Sequence, residues 1–166
     1  VDGLRDLGTC PSAFDSYLMA LGLETLSLRA SHQVKSARRI AEFLRDAPEV
    51  KSVSYIGFDD SPWHANAARF FRFDGDGPVI SAELQGDTDT TARFVEALQL
   101  AAHMTMIGDS ITVVTHPAST THKQLSASDL IKAGVTPTLL RISPGLEDPE
   151  DIIDDFKQAF HRAGLC

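Results

Sequence analysis

No stretch of this sequence approaches the roughly 20 consecutive apolar residues that a membrane-spanning helix requires. The N-terminal VDGLRDLGT has neither a basic start nor an apolar segment, so it does not read as a secretory signal. Positive charge is in deficit: 15 Lys and Arg against 23 Asp and Glu leave a net charge of −8. That balance argues against an electrostatic role on nucleic acid or on an anionic membrane. Cysteine is scarce. The two thiols, Cys10 and Cys166, stand near opposite ends, and in an acidic chain of cytoplasmic character they are expected to be free rather than joined. Gly-rich phosphate loops of the GxGxxG or GxxxxGK(S/T) kind are missing, as are a GxSxG nucleophile elbow, internal repeats and low-complexity tracts.

What remains is an ordinary globular composition, 43% apolar and 23% charged, on a chain of 166 residues, enough for one domain with its own core. It begins without Met and without a strand, and reads as a piece of something longer. Pro11 and Ser12 open a helical stretch that runs to Pro48. Within it Val34, Ala37, Ile40, Ala41 and Leu44 recur at three and four residues and make one apolar stripe. Gly22 interrupts the stretch, which suggests two consecutive helices. Strands are expected over 50–58, 79–84, 111–115 and 138–142, with a turn at GDGP, 75–78. Further helices are expected over 61–71 (Ser61 as cap, Pro62 first), 88–103 and 126–133, the last ended by Gly134. EDPED starts a final helix, with Asp148 as cap, Pro149 in the first position and Ile152, Phe156, Ala159 and Phe160 inward. The sum is an α/β (α+β-like) layer: a small, mostly antiparallel sheet of about four strands covered by helices.

Two features invite chemistry. THPASTTH, 115–122, places two histidines and four hydroxyls just after an apolar strand. His116 and His122 lie six apart with a proline between them, unlike the four-residue spacing of a helical zinc pair, and no Cys or carboxylate nearby completes a ligand set. Ser119 has no elbow and no base held by a third group, so a nucleophile is disfavoured. The stretch reads as a turn whose hydroxyls satisfy loop backbone, in a place suited to holding a small polar ligand. The second feature is Arg141 in LLRIS. Alternation sends Leu140 and Ile142 to one face and Leu139, Arg141 and Ser143 to the other. Its charge cannot be lost and must find a partner. The alternatives are a structural ion pair with Glu147 or Asp148, or capture of a substrate carboxylate by the planar guanidinium. The acidic LEDPEDIIDD reads as a solvated helix start, and His32, His64 and His103 as packing or surface residues in helical segments.

GLETLSLR (22–29), GDSITVVTHPASTTH (108–122) and AGVTPTLLRISPGLEDPEDIIDDF (133–156) together resemble the C-terminal part of the Cys/Met-metabolism family of pyridoxal-phosphate enzymes. The likeness runs in order along nearly the whole chain. Within the family, HPASTTH followed by AGVTP is most similar to the homoserine-ester sulfhydrylases, with cystathionine γ-synthases and cystathionine or methionine lyases as alternatives. The resemblance implies that residues 1–166 form one substrate-side domain with the architecture of the small C-terminal domain of fold-type I transferases. It implies a cytoplasmic homotetramer in methionine biosynthesis and γ-replacement chemistry, with pyridoxal phosphate held by an N-terminal domain. It also implies that Arg141 binds the substrate α-carboxylate, and that Ser119 and Thr121 line the substrate side. Met106 stands where Ser or Asn is usual, which leaves it a backbone contact at most, and Pro144 stands where Val is common before Gly145. None of the lysines at 35, 51, 123, 132 and 157 sits in the family's Schiff-base motif, so no catalytic residue is expected in this chain. A detached, non-catalytic interaction module is the reading from another class.

Overall fold

The structure, a computed structural model, describes residues 3, 7, 8, 10–71 and 76–165. Cys166 and the first residue of the expected 75–78 turn lie outside the described residues. Cys10 is free and exposed.

The 12–46 stretch is two helices, α1 (Ala13–Glu24) and α2 (Leu26–Asp46), broken at Thr25 rather than at Gly22. Ser12 caps α1 in a reciprocal box: its hydroxyl accepts from the Asp15 amide at 3.1 Å, and the Asp15 carboxylate accepts from the Ser12 amide at 3.0 Å. α1 buries none of its residues. α2 turns Gln33, Ser36, Ala37, Ile40, Ala41 and Leu44 inward. Then follow β1 (Val50–Ser54), α3 (His64–Phe70), β2 (Ile80–Leu84), α4 (Thr88–Ala97), β3 (Ala102–His103), β4 (Val113–Thr115), a single 3₁₀ turn (Pro117–Ser119), α5 (Ala127–Lys132), β5 (Leu139–Ser143) and α6 (Pro149–Ala163).

The sheet order is β1-β2-β5-β4-β3. Three neighbouring pairs are antiparallel, but β3 runs parallel to β4. The sheet is therefore mostly antiparallel, as expected, but mixed, and it has five strands rather than about four. The missing strand lies inside the expected 88–103 helix, which stops at Ala97 for a tertiary reason. The buried carboxylate of Asp155, on α6, accepts the amides of Gln99, Leu100 and Ala101 at 2.8–2.9 Å. Those amides are thereby turned away from helical partners, and the chain leaves extended into β3. Asp155 belongs to the acidic segment that reads as solvated in the sequence.

α3 starts two residues later than expected, with no side-chain cap; Ser61 only accepts weakly from the Trp63 amide at 3.4 Å. The local signals for α5 and α6 hold. Ser126 accepts from the Asp129 amide and Gly134 follows at φ +72°. Asp148 accepts from the Glu150 amide, Pro149 leads, and Gly164 closes α6 at φ +77°.

The core fills one side of the sheet. Ile80, Ala82, Leu84, Val114, Leu140 and Ile142 project from the strands and meet the inward faces of α2, α4 and α6. Phe94 on α4 is stacked on Phe160 at 4.9 Å between centroids and meets Phe156 edge-on at 5.7 Å. The opposite sheet face carries Ser81, Glu83, Arg141 and Ser143. The apolar side thus fixes the sheet against the helices and leaves a polar face for recognition.

Candidate functional site

Arg141 stands on β5, the middle strand of the sheet. Ser81 on β2 is opposite it on one side and Thr115 on β4 on the other. Pleating puts Leu140 and Ile142, each 1% exposed, into the core and forces Arg141 onto the polar face, where it is half-buried. Its Nη2 donates to the Thr105 carbonyl at 2.7 Å and to the Thr115 hydroxyl at 3.3 Å. Neither Glu147 nor Asp148 pairs with it. Glu147 accepts from the Thr112 amide at 2.7 Å and from the Thr112 hydroxyl at 2.8 Å, and Asp148 caps α6. Among the described residues no carboxylate forms an ion pair with Arg141, and its Nε and Nη1 have no hydrogen-bond partner. A guanidinium so placed keeps donors and an uncompensated charge for an incoming anion.

The segment 104–111 arches over this end of the sheet and is fastened along its length. The Met104 amide donates to the Val114 carbonyl at 3.3 Å, and the Thr115 hydroxyl donates to the Met104 carbonyl. The Gly108 amide donates to Ser143 Oγ at 3.1 Å, and the buried Gln33 on α2 donates to the Asp109 carbonyl at 2.6 Å. Met106 lies between these fastenings, 52% exposed, one residue beyond the carbonyl that Arg141 grips. Just past β5, Gly145 donates to Thr112 Oγ1 at 2.9 Å, and its Cα lies so close to the Ile111 and Ser110 backbone that a Cβ would overlap both. We expect Gly145→Ala to destabilise the protein by about 1–3 kcal/mol in a denaturant titration, since neither neighbour is a flexible side chain. An unchanged midpoint would mean that this approach is not rigid.

THPASTTH is a compact turn beside Arg141. Ser119 Oγ and Thr120 Oγ1 both donate to the His116 carbonyl, at 3.3 and 2.7 Å, and the His122 amide donates to the Pro117 carbonyl at 2.9 Å. The two histidines are held apart by different work. His116 is 1% exposed and its Nε2 donates to the Pro137 carbonyl at 2.8 Å, whereas His122 Nδ1 is 2.8 Å from Thr121 Oγ1. Among the described residues no three His, Cys, Asp or Glu side chains are grouped to hold a metal. His103, which is on β3 rather than in a helix, has its pKa lowered by burial and then by the neighbouring His116, with Glu96 opposing.

The structure thus brings Arg141 and the backbone next to Met106 into direct contact and sets THPASTTH alongside, with Ser119 and Thr121 exposed. Thr105, Thr115 and Ser143 are the members that sequence reading missed. Thr115 could have been found by pairing the 111–115 and 138–142 strands, since an antiparallel register sets a residue of one opposite Arg141 of the other.

Comparison with known proteins gives the chain's family. Residues 3–161 match the family described as Cys/Met metabolism PLP-dependent enzyme, and the chain belongs to that family. It is 40% identical over 159 residues to O-acetyl-L-homoserine sulfhydrylase 1 of Thermus thermophilus, covering 96% of this chain and 38% of the relative. Its fold superposes on cystathionine gamma-lyase from yeast with a TM-score of 0.90 at 32% identity, covering 96% of this chain and 41% of that one. A Campylobacter jejuni structure containing N'-Pyridoxyl-Lysine-5'-Monophosphate gives a TM-score of 0.87 at 36% identity, covering 95% and 37%. The chain therefore spans about two-fifths of the length of the relatives it matches.

The family's cofactor is pyridoxal phosphate. Among the described residues each lysine is ion-paired or exposed. Of the five lysines, Lys51 pairs with Glu83, Lys132 with Asp129 and Lys157 with Asp154, while Lys35 and Lys123 are exposed; none contacts Arg141. No helix among the described residues is long and apolar enough to cross a membrane.

Proposed function

We propose that this chain is the C-terminal, substrate-side domain of a cytoplasmic homoserine-ester sulfhydrylase, and that it holds the amino-acid substrate while an N-terminal domain holds pyridoxal phosphate. The observation that carries the reading is the half-buried Arg141 guanidinium with no carboxylate partner, directed to the open polar face of the sheet. The whole reaction would exchange the ester group of O-acetylhomoserine for a sulfur nucleophile, giving homocysteine and acetate when the nucleophile is sulfide. Arg141 fixes the substrate α-carboxylate through charge-assisted contacts from the donors that its Nε and Nη1 leave free, which orients the bonds at Cα and Cβ toward the cofactor side. The Met106 backbone and the hydroxyls of Ser119 and Thr121 line the same side. The cofactor supplies the electron sink. Similarity to sulfhydrylases favours this over a cystathionine γ-synthase or lyase, and the homotetramer of the proposal would use surface beyond this domain.

One observation bears on the interaction-module alternative. α1 exposes Phe14, Tyr17, Leu18 and Met19, each about half or more accessible, with none of its side chains buried. In the reading above, this apolar face is covered by the rest of the enzyme. An absorbance scan combined with intact mass separates the two. The 18.0 kDa chain alone is expected to be colourless and inactive, and the complete enzyme to carry the cofactor band. Product analysis of the complete enzyme with O-acetylhomoserine and sulfide should then give homocysteine and acetate. Release of ammonia and a 2-oxo acid instead would assign a lyase.

A further inference from the structure

We infer that Thr115 is a positioning residue which locks the Arg141 guanidinium and the 104–106 backbone into one rigid unit; this rests on the reading of Arg141 as carboxylate anchor. Thr115 is 1% exposed, so its hydroxyl has no access to bulk water. It donates its single proton to the Met104 carbonyl and accepts from Arg141 Nη2 at 3.3 Å. The same Nη2 donates to the Thr105 carbonyl at 2.7 Å. Guanidinium, hydroxyl and two consecutive carbonyls therefore close a small ring across β4, β5 and the arch. Both Nη2 protons are committed to it, and Nε and Nη1 are left for a carboxylate.

Arginine has several rotatable bonds, and on an open sheet face its head would otherwise sample many positions. The Thr105 carbonyl alone restricts one direction. Thr115 supplies the second, from the neighbouring strand, whose register with β5 is fixed by the core. It also sets the height of Met104, and through it that of Met106 two residues on. The position of the anchor and that of the Met106 backbone thus depend on one hydroxyl that touches no substrate.

The test uses the complete, cofactor-loaded enzyme and calorimetric binding of two probes: L-norleucine, which has the α-amine and α-carboxylate without a leaving group, and 1-aminopentane, its decarboxylated counterpart. Thr115→Val keeps the shape and removes the hydroxyl; Thr115→Ser keeps the hydroxyl. The expected result is that Thr115→Val weakens norleucine binding about tenfold, as loss of one hydrogen bond to a charged group implies. Aminopentane binding and the cofactor's absorbance stay unchanged, and Thr115→Ser binds norleucine within about twofold of wild type. In an Arg141→Ala background, Thr115→Val should add little, because the two act through one contact. Wild-type norleucine binding in Thr115→Val alongside weakened binding in Arg141→Ala would overturn the role of Thr115 and leave the anchor standing. Unchanged binding in both would overturn the anchor itself. Equal weakening of both probes would make Thr115 a merely structural residue.

Discussion

Arg141→Ala in the complete enzyme is expected to raise KM for the amino-acid substrate by about two orders of magnitude, with the cofactor's absorbance unchanged. The substitution removes the charge-assisted hydrogen bonding to the α-carboxylate, a loss of about 3 kcal/mol. The carboxylate takes no part in bond making, so its contact is the same in ground and transition states, and the effect falls on KM more than on kcat. Stability should change little, since the Arg141 head has no ionic partner to orphan; it releases only the Thr105 carbonyl and the Thr115 hydroxyl. Arg141→Lys should recover only part of the affinity, because a compact ammonium on a flexible stem cannot hold the Thr105 carbonyl, the Thr115 hydroxyl and the substrate carboxylate in the fixed geometry of a guanidinium. An unchanged KM in Arg141→Ala would remove the anchor role.

The second large effect concerns Asp155. Its carboxylate accepts three consecutive amides, Gln99, Leu100 and Ala101, and also Gln158 Nε2 at 2.9 Å. Asp155→Ala leaves those amides without acceptors where α4 gives way to β3. With the Ala101 hydrogen bond buried and the Gln99 and Leu100 hydrogen bonds part-buried, the expected loss is about 3–5 kcal/mol, visible as a lowered denaturation midpoint. Asp155→Asn, which retains one acceptor oxygen, should lose less. The consequence reaches the site, because β3 leads directly into Met104 and Thr105. The alanine variant, if it folds, should therefore also bind substrate more weakly. A midpoint within about 1 kcal/mol of wild type would mean that the 98–101 segment is held by something other than Asp155.

These two residues also show what could be read from the sequence. α6 was legible because its signals are local: Asp148 as cap, Pro149 in the first turn, and inward Ile152, Phe156, Ala159 and Phe160, all within the helix itself. The outward turn of Arg141 was legible from strand alternation alone. The end of α4 was not, since the group that ends it lies about fifty-five residues away in an acidic stretch otherwise indistinguishable from solvent-facing helix. β3 has two residues and pairs in parallel, too short to show periodicity. Arg141's neighbours likewise needed the register. The sequence offered Glu147 as an ionic partner, but Thr112 already engages both of its oxygens. The hydroxyls of THPASTTH were readable as turn-forming groups because they bond within the turn.

The most direct test is a crystal structure of the complete enzyme with bound L-norleucine. The predicted result is its α-carboxylate within hydrogen-bond distance of the Arg141 guanidinium, beside the Met106 backbone and THPASTTH, with Arg141 still held by Thr105 and Thr115. A carboxylate bound elsewhere, with Arg141 still facing solvent, would contradict the account.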